Sequence, residues 1–174
     1  MITLPKPTTG RLWWVVTWMA VAFAIFIRCW HLGSKSVWFD EGYTAWLVSH
    51  SPAEIIRLIR ADTAPPLYYL VLHGWITLFG RSEVALRSLS TVFSIFTLFL
   101  AVDIARRMLP NPAAVAAAVC AMSLSFMQLW YAQEARGYAM MAFLAIAAFD
   151  CLQRHLAARS RRRLMILPIL FAAA

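Results

Sequence analysis

Two adjacent carboxylates, Asp40 and Glu41, are the first residues in the sequence whose type and setting are suited to chemistry. They lie in the segment 38–43 (WFDEGY), between aromatic side chains and shortly after a long apolar stretch. A carboxylate in such a place can accept a proton from an attacking hydroxyl, or bind a metal ion whose other ligand is phosphate. A purely structural interpretation is also open, in which Asp40 caps a helix that begins at Glu41.

The second group of chemically capable residues is the segment 133–138 (QEARGY), which contains Glu134 and Arg136. The planar guanidinium of arginine is suited to binding a phosphate through two hydrogen bonds. The structural alternative here is a turn at the lipid headgroups, with Arg136 on a lipid phosphate. A third candidate, Asp62, shares its connection with Asp40, although its position is also typical of a solvated loop. The four histidines show no metal-ligand spacing, so the residues that would hold a metal are unknown.

The composition indicates what kind of protein must position these residues. Of 174 residues, 62% are hydrophobic and only 14% are charged, and the mean hydropathy is +0.68. Soluble domains are roughly half apolar and about a quarter charged, so an ordinary soluble fold is excluded. The three cysteines show no CxxC spacing, which favours neither a disulfide framework nor a zinc site. The net charge of +8 fits basic flanks of membrane spans that face anionic lipid better than it fits nucleic-acid binding.

The predicted fold is therefore an all-α membrane protein, a multi-span helical bundle that forms one transmembrane domain over residues 1–174. A helix needs about 20 apolar residues to cross the hydrocarbon layer. The predicted spans are residues 12–30, 84–106, 113–132 and 136–153, followed by an incomplete one at 164–174. Because this last stretch is too short to span, we expect the chain to be the N-terminal part of a longer protein.

The apolar segment 67–79 determines which connections face which side of the membrane. A stretch of this length is more typical of an interfacial or re-entrant helix than of a span. If it does not cross, the basic residues at 106–107 and 159–163 lie on the cytoplasmic side with the N-terminus, as the positive-inside rule favours. A long first outer loop then covers residues 31–83, and both acidic groups face outward.

The first outer loop is expected to contain juxtamembrane helices. The segment 51–54 (SPAE) has the pattern of a helix start, with Ser as the N-cap, Pro at the first helical position and Glu three residues after the cap. Apolar residues at 55, 56, 58 and 59 follow it, with arginines at 57 and 60. These features predict a short amphipathic helix on the membrane surface.

Ionisable residues are scarce within the predicted spans. Arg87 and Asp103 lie near the two ends of the second span, where their side chains are expected to reach opposite interfaces. An alternative function from another class is a transporter or flippase fragment, which would be expected to carry charges in mid-span. The stretches 12–27 and 113–132 carry none, and the ionisable candidates gather at one face. This distribution favours surface chemistry over translocation.

The ordered motifs of the chain resemble those of bacterial GT-C class glycosyltransferases. After the aromatic-x-Asp-Glu segment come DTAPPLYY (62–69), RSEVALRSLS (81–90), ARR (105–107) and YAQEARGY (131–138). The chain is similar to the N-terminal part of the protein O-mannosyltransferase and lipid A aminoarabinose transferase group, over about residues 13–163. Many of those relatives have His before the Pro-Pro pair, where this chain has Ala64.

The resemblance implies a multi-pass enzyme of the bacterial inner membrane. Such an enzyme moves a sugar from a polyprenyl-phosphate donor to a lipid, glycan or protein acceptor at the periplasmic face, with inversion at the anomeric carbon. Its partners are membrane lipids and these substrates, not nucleic acid, and a divalent cation is an optional cofactor. The sugar, the acceptor and the oligomeric state are left open.

The resemblance also assigns roles to individual residues. Asp40, as the general base or the group that positions the acceptor, and its acidic neighbour Glu41 are the expected catalytic carboxylates. The expected substrate-binding or phosphate-binding residues are Arg136, Glu134, Asp62 and Tyr43. A third interpretation of the chain, a truncated and inactive membrane scaffold, follows from the incomplete last span.

Overall fold

The computed structural model describes residues 8–60 and 65–158, and within these ranges the chain is helical with no strand. This confirms the predicted all-α membrane fold. Asp62, the basic cluster at 159–163 and the incomplete span at 164–174 lie outside the described residues. The helices are α1 (Thr8–Cys29), α2 (Phe39–Leu47), α3 (Pro52–Ile59), α4 (Leu67–Phe79), α5 (Glu83–Met108), α6 (Pro112–Ser123), α7 (Phe126–Ala132) and α8 (Tyr138–Ala158).

Three of these helices, α1, α5 and α8, are long and apolar enough to cross a membrane. They cover the segments predicted as the first, second and fourth spans. The segment predicted as the third span instead forms two helices, α6 and α7, with an angle of 52° between them. Taken together this bent pair is long enough to count as a fourth span, so the described part of the chain has the helices of an integral membrane protein.

The break between α6 and α7 coincides with the buried side chain of Arg28. Its NH1 donates to the main-chain oxygen of Ser123, the last residue of α6, at 3.4 Å and to that of Ala24 at 3.1 Å. Its Nε donates to Ser94 Oγ at 2.9 Å. The last carbonyls of a helix lack intrahelical partners, and a side chain inserted at such a point is a known cause of bending. We attribute the broken third span to this contact.

Helices α2, α3 and α4 pack together against the first turns of α5 and the connection that precedes α8. As predicted, α3 begins with a capping box, in which Ser51 Oγ accepts from the Glu54 N–H and Glu54 accepts from the Ser51 N–H. The segment 67–79 forms one 13-residue helix, α4, which ends at Gly80 with φ of +87°. The buried residues of this apolar cluster are Leu47, Val48, Ile55, Ile59, Tyr68, Tyr69, Leu72, Ile76, Leu86, Leu89, Ala135 and Met140.

The opposite end of the bundle carries a cluster of ion pairs between α5 and α8. Asp103 accepts from Arg106 at 2.8 Å and from Arg154 at 2.5 Å, and Arg107 pairs with both Asp103 and Asp150. These residues lie in the C-terminal parts of both helices. The bundle therefore has a basic end at this cluster and an end covered by α2–α4.

Candidate active site

A buried ion pair between Glu41 and Arg87 lies at the centre of the covered end. Arg87 Nε donates to Glu41 Oε1 at 2.9 Å, and NH2 donates to Oε2 at 2.7 Å. The remaining Arg87 donors contact main-chain oxygens of Leu32, Lys35 and Ser36. With its donors directed to Glu41 and to these main-chain oxygens, Arg87 is buried and only 3% exposed. The prediction that its side chain reaches the membrane interface is therefore wrong.

Glu41 also joins the two connections that carry the candidate residues. Its Oε1 accepts a second hydrogen bond, at 2.9 Å, from the main-chain N–H of Ala135. Burial raises the pKa of the Glu41 carboxyl, but the hydrogen bonds from Arg87 and Ala135 outweigh burial and hold this pKa below its usual value. The carboxylate therefore stays ionised, and both of its oxygens are occupied.

One face of α5 also anchors the second connection. Ser90 Oγ donates to the main-chain oxygen of Arg136 at 3.1 Å, and Thr91 Oγ1 donates to that of Ala132 at 2.8 Å. Residues 87, 90 and 91 are three and four positions apart, so they lie on the same side of the helix. A single rigid element therefore positions the Glu41 segment and the Glu134–Arg136 segment relative to each other.

Asp40 and Arg136 are brought together by this anchoring. Arg136 NH2 lies 3.9 Å from Asp40 Oδ2, and the two side chains are 20% and 38% exposed, respectively. Helix α2 begins at Phe39, with Trp38 as its N-cap, so Asp40 lies within the first turn. The interpretation of Asp40 as the helix cap is therefore wrong, and its carboxylate is free to face the second connection.

Glu134 is the second carboxylate that the structure places close to Asp40. It is 7% exposed. Burial is the main reason why the pKa of its carboxyl is raised, and the negative charges of Glu41 and Asp40 act in the same direction. A hydrogen bond with Trp130 and the charge of Arg136 oppose this increase only in part. Glu134 therefore holds a proton more readily than an ordinary carboxylate.

A cavity of about 300 Å³ opens beside these groups. It is lined by Lys35, Trp38, Glu41, Trp130 and Glu134, among others. The Lys35 ammonium lies 5.2 Å from the centre of the Trp130 ring, within the usual range of a cation–π contact. The cavity thus combines aromatic walls with a few charged groups, which is typical of a small-ligand site.

Two functional candidates, Lys35 and Arg87, were not identified as site residues from the sequence. Lys35 occurs five residues before Asp40, and that proximity was the signal that could have identified it. Arg87 lies within the motif at 81–90 that supports the family resemblance. No feature of its sequence neighbourhood shows that its partner is Glu41, because that contact joins distant segments.

Of the two remaining predicted site residues, Tyr43 and Asp62, only Tyr43 lies within the described residues. Tyr43 is half-buried; its ring packs against the apolar cluster and lies 5.7 Å from the ring of Trp46. Asp62 lies outside the described residues. Within residues 8–60 and 65–158, no three His, Cys, Asp or Glu side chains come close enough together to hold a metal ion.

Comparison with family models supplies an independent view of the chain. Residues 63–174 match the family described as dolichyl-phosphate-mannose-protein mannosyltransferase. The match covers more than half of the chain and includes Arg87, Glu134 and Arg136, while it begins after Asp40 and Glu41. Neither the curated proteins nor the solved structures give a match. By this match the chain belongs to the dolichyl-phosphate-mannose-protein mannosyltransferase family, and is a membrane glycosyltransferase of the GT-C class.

Proposed function

We propose that the protein transfers a sugar from a polyprenyl-phosphate donor to a lipid, glycan or protein acceptor at the outer face of the bacterial inner membrane. The observation that carries the proposal is the 3.9 Å approach of Arg136 to Asp40, which pairs a base with a phosphate-binding group. Family membership supports a transferase, and the cavity beside Glu134 offers space for a ligand.

In the proposed reaction, the hydroxyl oxygen of the acceptor attacks C1 of the sugar while Asp40 takes the hydroxyl proton. The bond between C1 and the phosphate oxygen breaks, and its electron pair stays on the phosphate. Attack from the side opposite the leaving group inverts the configuration at C1. Because negative charge grows on the phosphate, a guanidinium such as that of Arg136 stabilises the transition state.

Glu41 takes a different part in this proposal from Asp40. Both Glu41 oxygens accept hydrogen bonds from Arg87, and one of them also accepts from Ala135. A carboxylate with its oxygens occupied in this way is a poor proton acceptor. We therefore assign Glu41 as a positioning residue that fixes the first turn of α2, and with it Asp40, against the second connection.

The outward orientation rests on the arginines in the C-terminal parts of the spans α5 and α8. The end opposite the candidate site carries Arg106, Arg107 and Arg154, which outnumber the two aspartates paired with them. Cytoplasmic ends of spans are enriched in arginine and lysine. We therefore place this basic end in the cytoplasm and the Asp40–Arg136 pair outside.

The test compares sugar transfer by the full-length protein and its Asp40→Asn variant, with a radiolabelled polyprenyl-phosphate sugar and membrane acceptors. Removing a proton-transfer group costs about 100- to 10,000-fold in rate, so we expect transfer to be nearly abolished. Glu83→Gln removes another carboxylate of the same loop and serves as the control. Wild-type turnover by Asp40→Asn would contradict the assignment of the base.

The same assay separates the alternative functions. If the wild-type protein transfers no sugar from any polyprenyl-phosphate donor, the inactive scaffold is the better interpretation. If it moves the labelled donor across vesicle membranes without transferring its sugar, the flippase interpretation is better. Transfer by the wild type that is lost in Asp40→Asn supports the proposal over both.

A further inference from the structure

Two cationic residues line the cavity, Lys35 and Arg87, and Lys35 is the one that an incoming ligand can reach. The other cation, Arg87, is buried, and its donors are occupied by Glu41 and by main-chain oxygens. Lys35 is exposed, and its ammonium rests over the Trp130 ring. A contact of this kind at an exposed site is worth only about 0.5–1 kcal/mol, so the ammonium is available to an incoming anion.

An apolar strip on α7 leads from the α6–α7 break to this lysine. Phe126, Met127 and Trp130 are 68%, 54% and 48% exposed. Trp130 follows Phe126 by four residues and Met127 by three, so each of these two side chains lies next to Trp130 on the helix surface. The rings of Phe126 and Trp130 lie 5.6 Å apart, so the strip is continuous up to the aromatic wall of the cavity.

We propose that Lys35 and this strip of α7 form the binding site for the lipid phosphate of the donor. The phosphate contacts the Lys35 ammonium in the cavity, and the first isoprene units lie along Phe126, Met127 and Trp130. The inference rests on the proposed function, since it names where the donor binds. The pairing of one accessible cation with a continuous apolar strip matches a ligand that has an anionic head and a long hydrocarbon tail.

Lys35 then supplements Arg136 during the reaction. When the bond between C1 and the phosphate oxygen breaks, the electron pair moves to the phosphate, and the charge of this group goes from one negative to two. Glu134 lies near both cations. It lines the cavity together with Lys35, and the charge of Arg136 acts on its carboxyl group. In this proposal one cation from each connection acts on the departing phosphate, Lys35 from the lining of the cavity and Arg136 from outside that lining.

Substituting Lys35 tests the charge of its side chain alone, because the loop around it is held through main-chain contacts. Arg87 donates to the main-chain oxygen of Lys35 at 2.8 Å, and any side chain at position 35 leaves this bond in place. Lys35→Gln removes the charge, and Lys35→Arg keeps it. Arg57→Gln, which removes an exposed cation of α3, is the matched control.

The experiment measures binding of a benzophenone-tagged polyprenyl phosphate to the full-length protein in vesicles of neutral phospholipid. A charge-assisted hydrogen bond lost from such a site corresponds to about 10- to 100-fold in affinity. We expect Lys35→Gln to weaken binding by this factor, Lys35→Arg to restore it and Arg57→Gln to leave it unchanged. Photolysis is expected to label the peptide that contains residues 126–130.

Three results would overturn the inference while leaving sugar transfer intact. They are unchanged binding in Lys35→Gln, labelling confined to other helices, and equal competition by phosphatidylglycerol, which would identify a general site for anionic lipid. Absence of both transfer and polyprenyl-phosphate binding in the wild type would instead overturn the proposed function, and this inference with it.

Discussion

Arg87 and Glu41, 46 residues apart in the sequence, form a two-pronged ion pair in which Nε and NH2 of the guanidinium bind different oxygens of the carboxylate. The pair is buried, and Glu41 also binds the N–H of Ala135. Three separate parts of the chain thus meet at one carboxylate. The geometry of the candidate site depends on this contact more than on any local sequence feature.

Removing Arg87 is expected to destabilise the fold strongly. The variant Arg87→Met leaves the Glu41 carboxylate buried without its cation, which costs about 3–5 kcal/mol in comparable buried pairs. Thermal unfolding in detergent measures the loss. The double variant Glu41→Leu/Arg87→Met is expected to regain part of the stability but little transfer activity. Full activity in the double variant would contradict the positioning role of Glu41.

Arg136 is expected to contribute to transfer through both its charge and its shape. Arg136→Gln removes a cation from the departing phosphate, and loss of one preorganised donor of this type costs about 100- to 1,000-fold in rate. Arg136→Lys keeps the charge but not the paired donors, so its loss should be smaller. The measurement is kcat/KM for the donor, with Arg81→Gln as the control. Equal rates for all of these variants and the wild type would remove Arg136 from the mechanism.

Glu134 is expected to make the stability depend on pH. Because the pKa of its carboxyl is raised in the fold, the folded state binds more protons than the unfolded state between the ordinary value and the raised one. Its contribution to the free energy of unfolding is therefore most favourable below the ordinary carboxyl pKa and declines as the pH rises through this window.

Thermal unfolding of Glu134→Gln and of the wild type over a pH series measures this contribution. As the pH rises through this window, the melting temperature of Glu134→Gln should increase relative to that of the wild type. Glu83→Gln is expected to follow the wild-type pH dependence. A wild-type pH dependence in Glu134→Gln would show that another group is responsible.

Cysteine labelling tests the proposed orientation. After replacement of the native Cys29, Cys120 and Cys151, single cysteines are introduced at Ser34, beside the candidate site, and at the exposed Met108, at the other end of the bundle. A membrane-impermeant maleimide should label position 34 in intact spheroplasts and position 108 only after lysis. Labelling of both positions from the same compartment would contradict the topology.

The sequence alone was sufficient for the features that depend on local pattern. Long apolar stretches indicated α1, α5 and α8, and a Ser-Pro-x-Glu spacing indicated where α3 begins. The short length of the segment 67–79 indicated a helix below spanning length. These signals act within one or two helical turns or along one apolar run, so the residues that produce them are neighbours in the chain.

Only the tertiary structure decided which charged groups meet. It paired Arg87 with Glu41 rather than with the membrane interface, placed Lys35 in the cavity, and broke the third predicted span where Arg28 contacts Ser123. A buried charged side chain takes whichever partners the packed helices bring within reach. That choice depends on contacts between distant segments, and neither hydropathy nor periodicity carries this information.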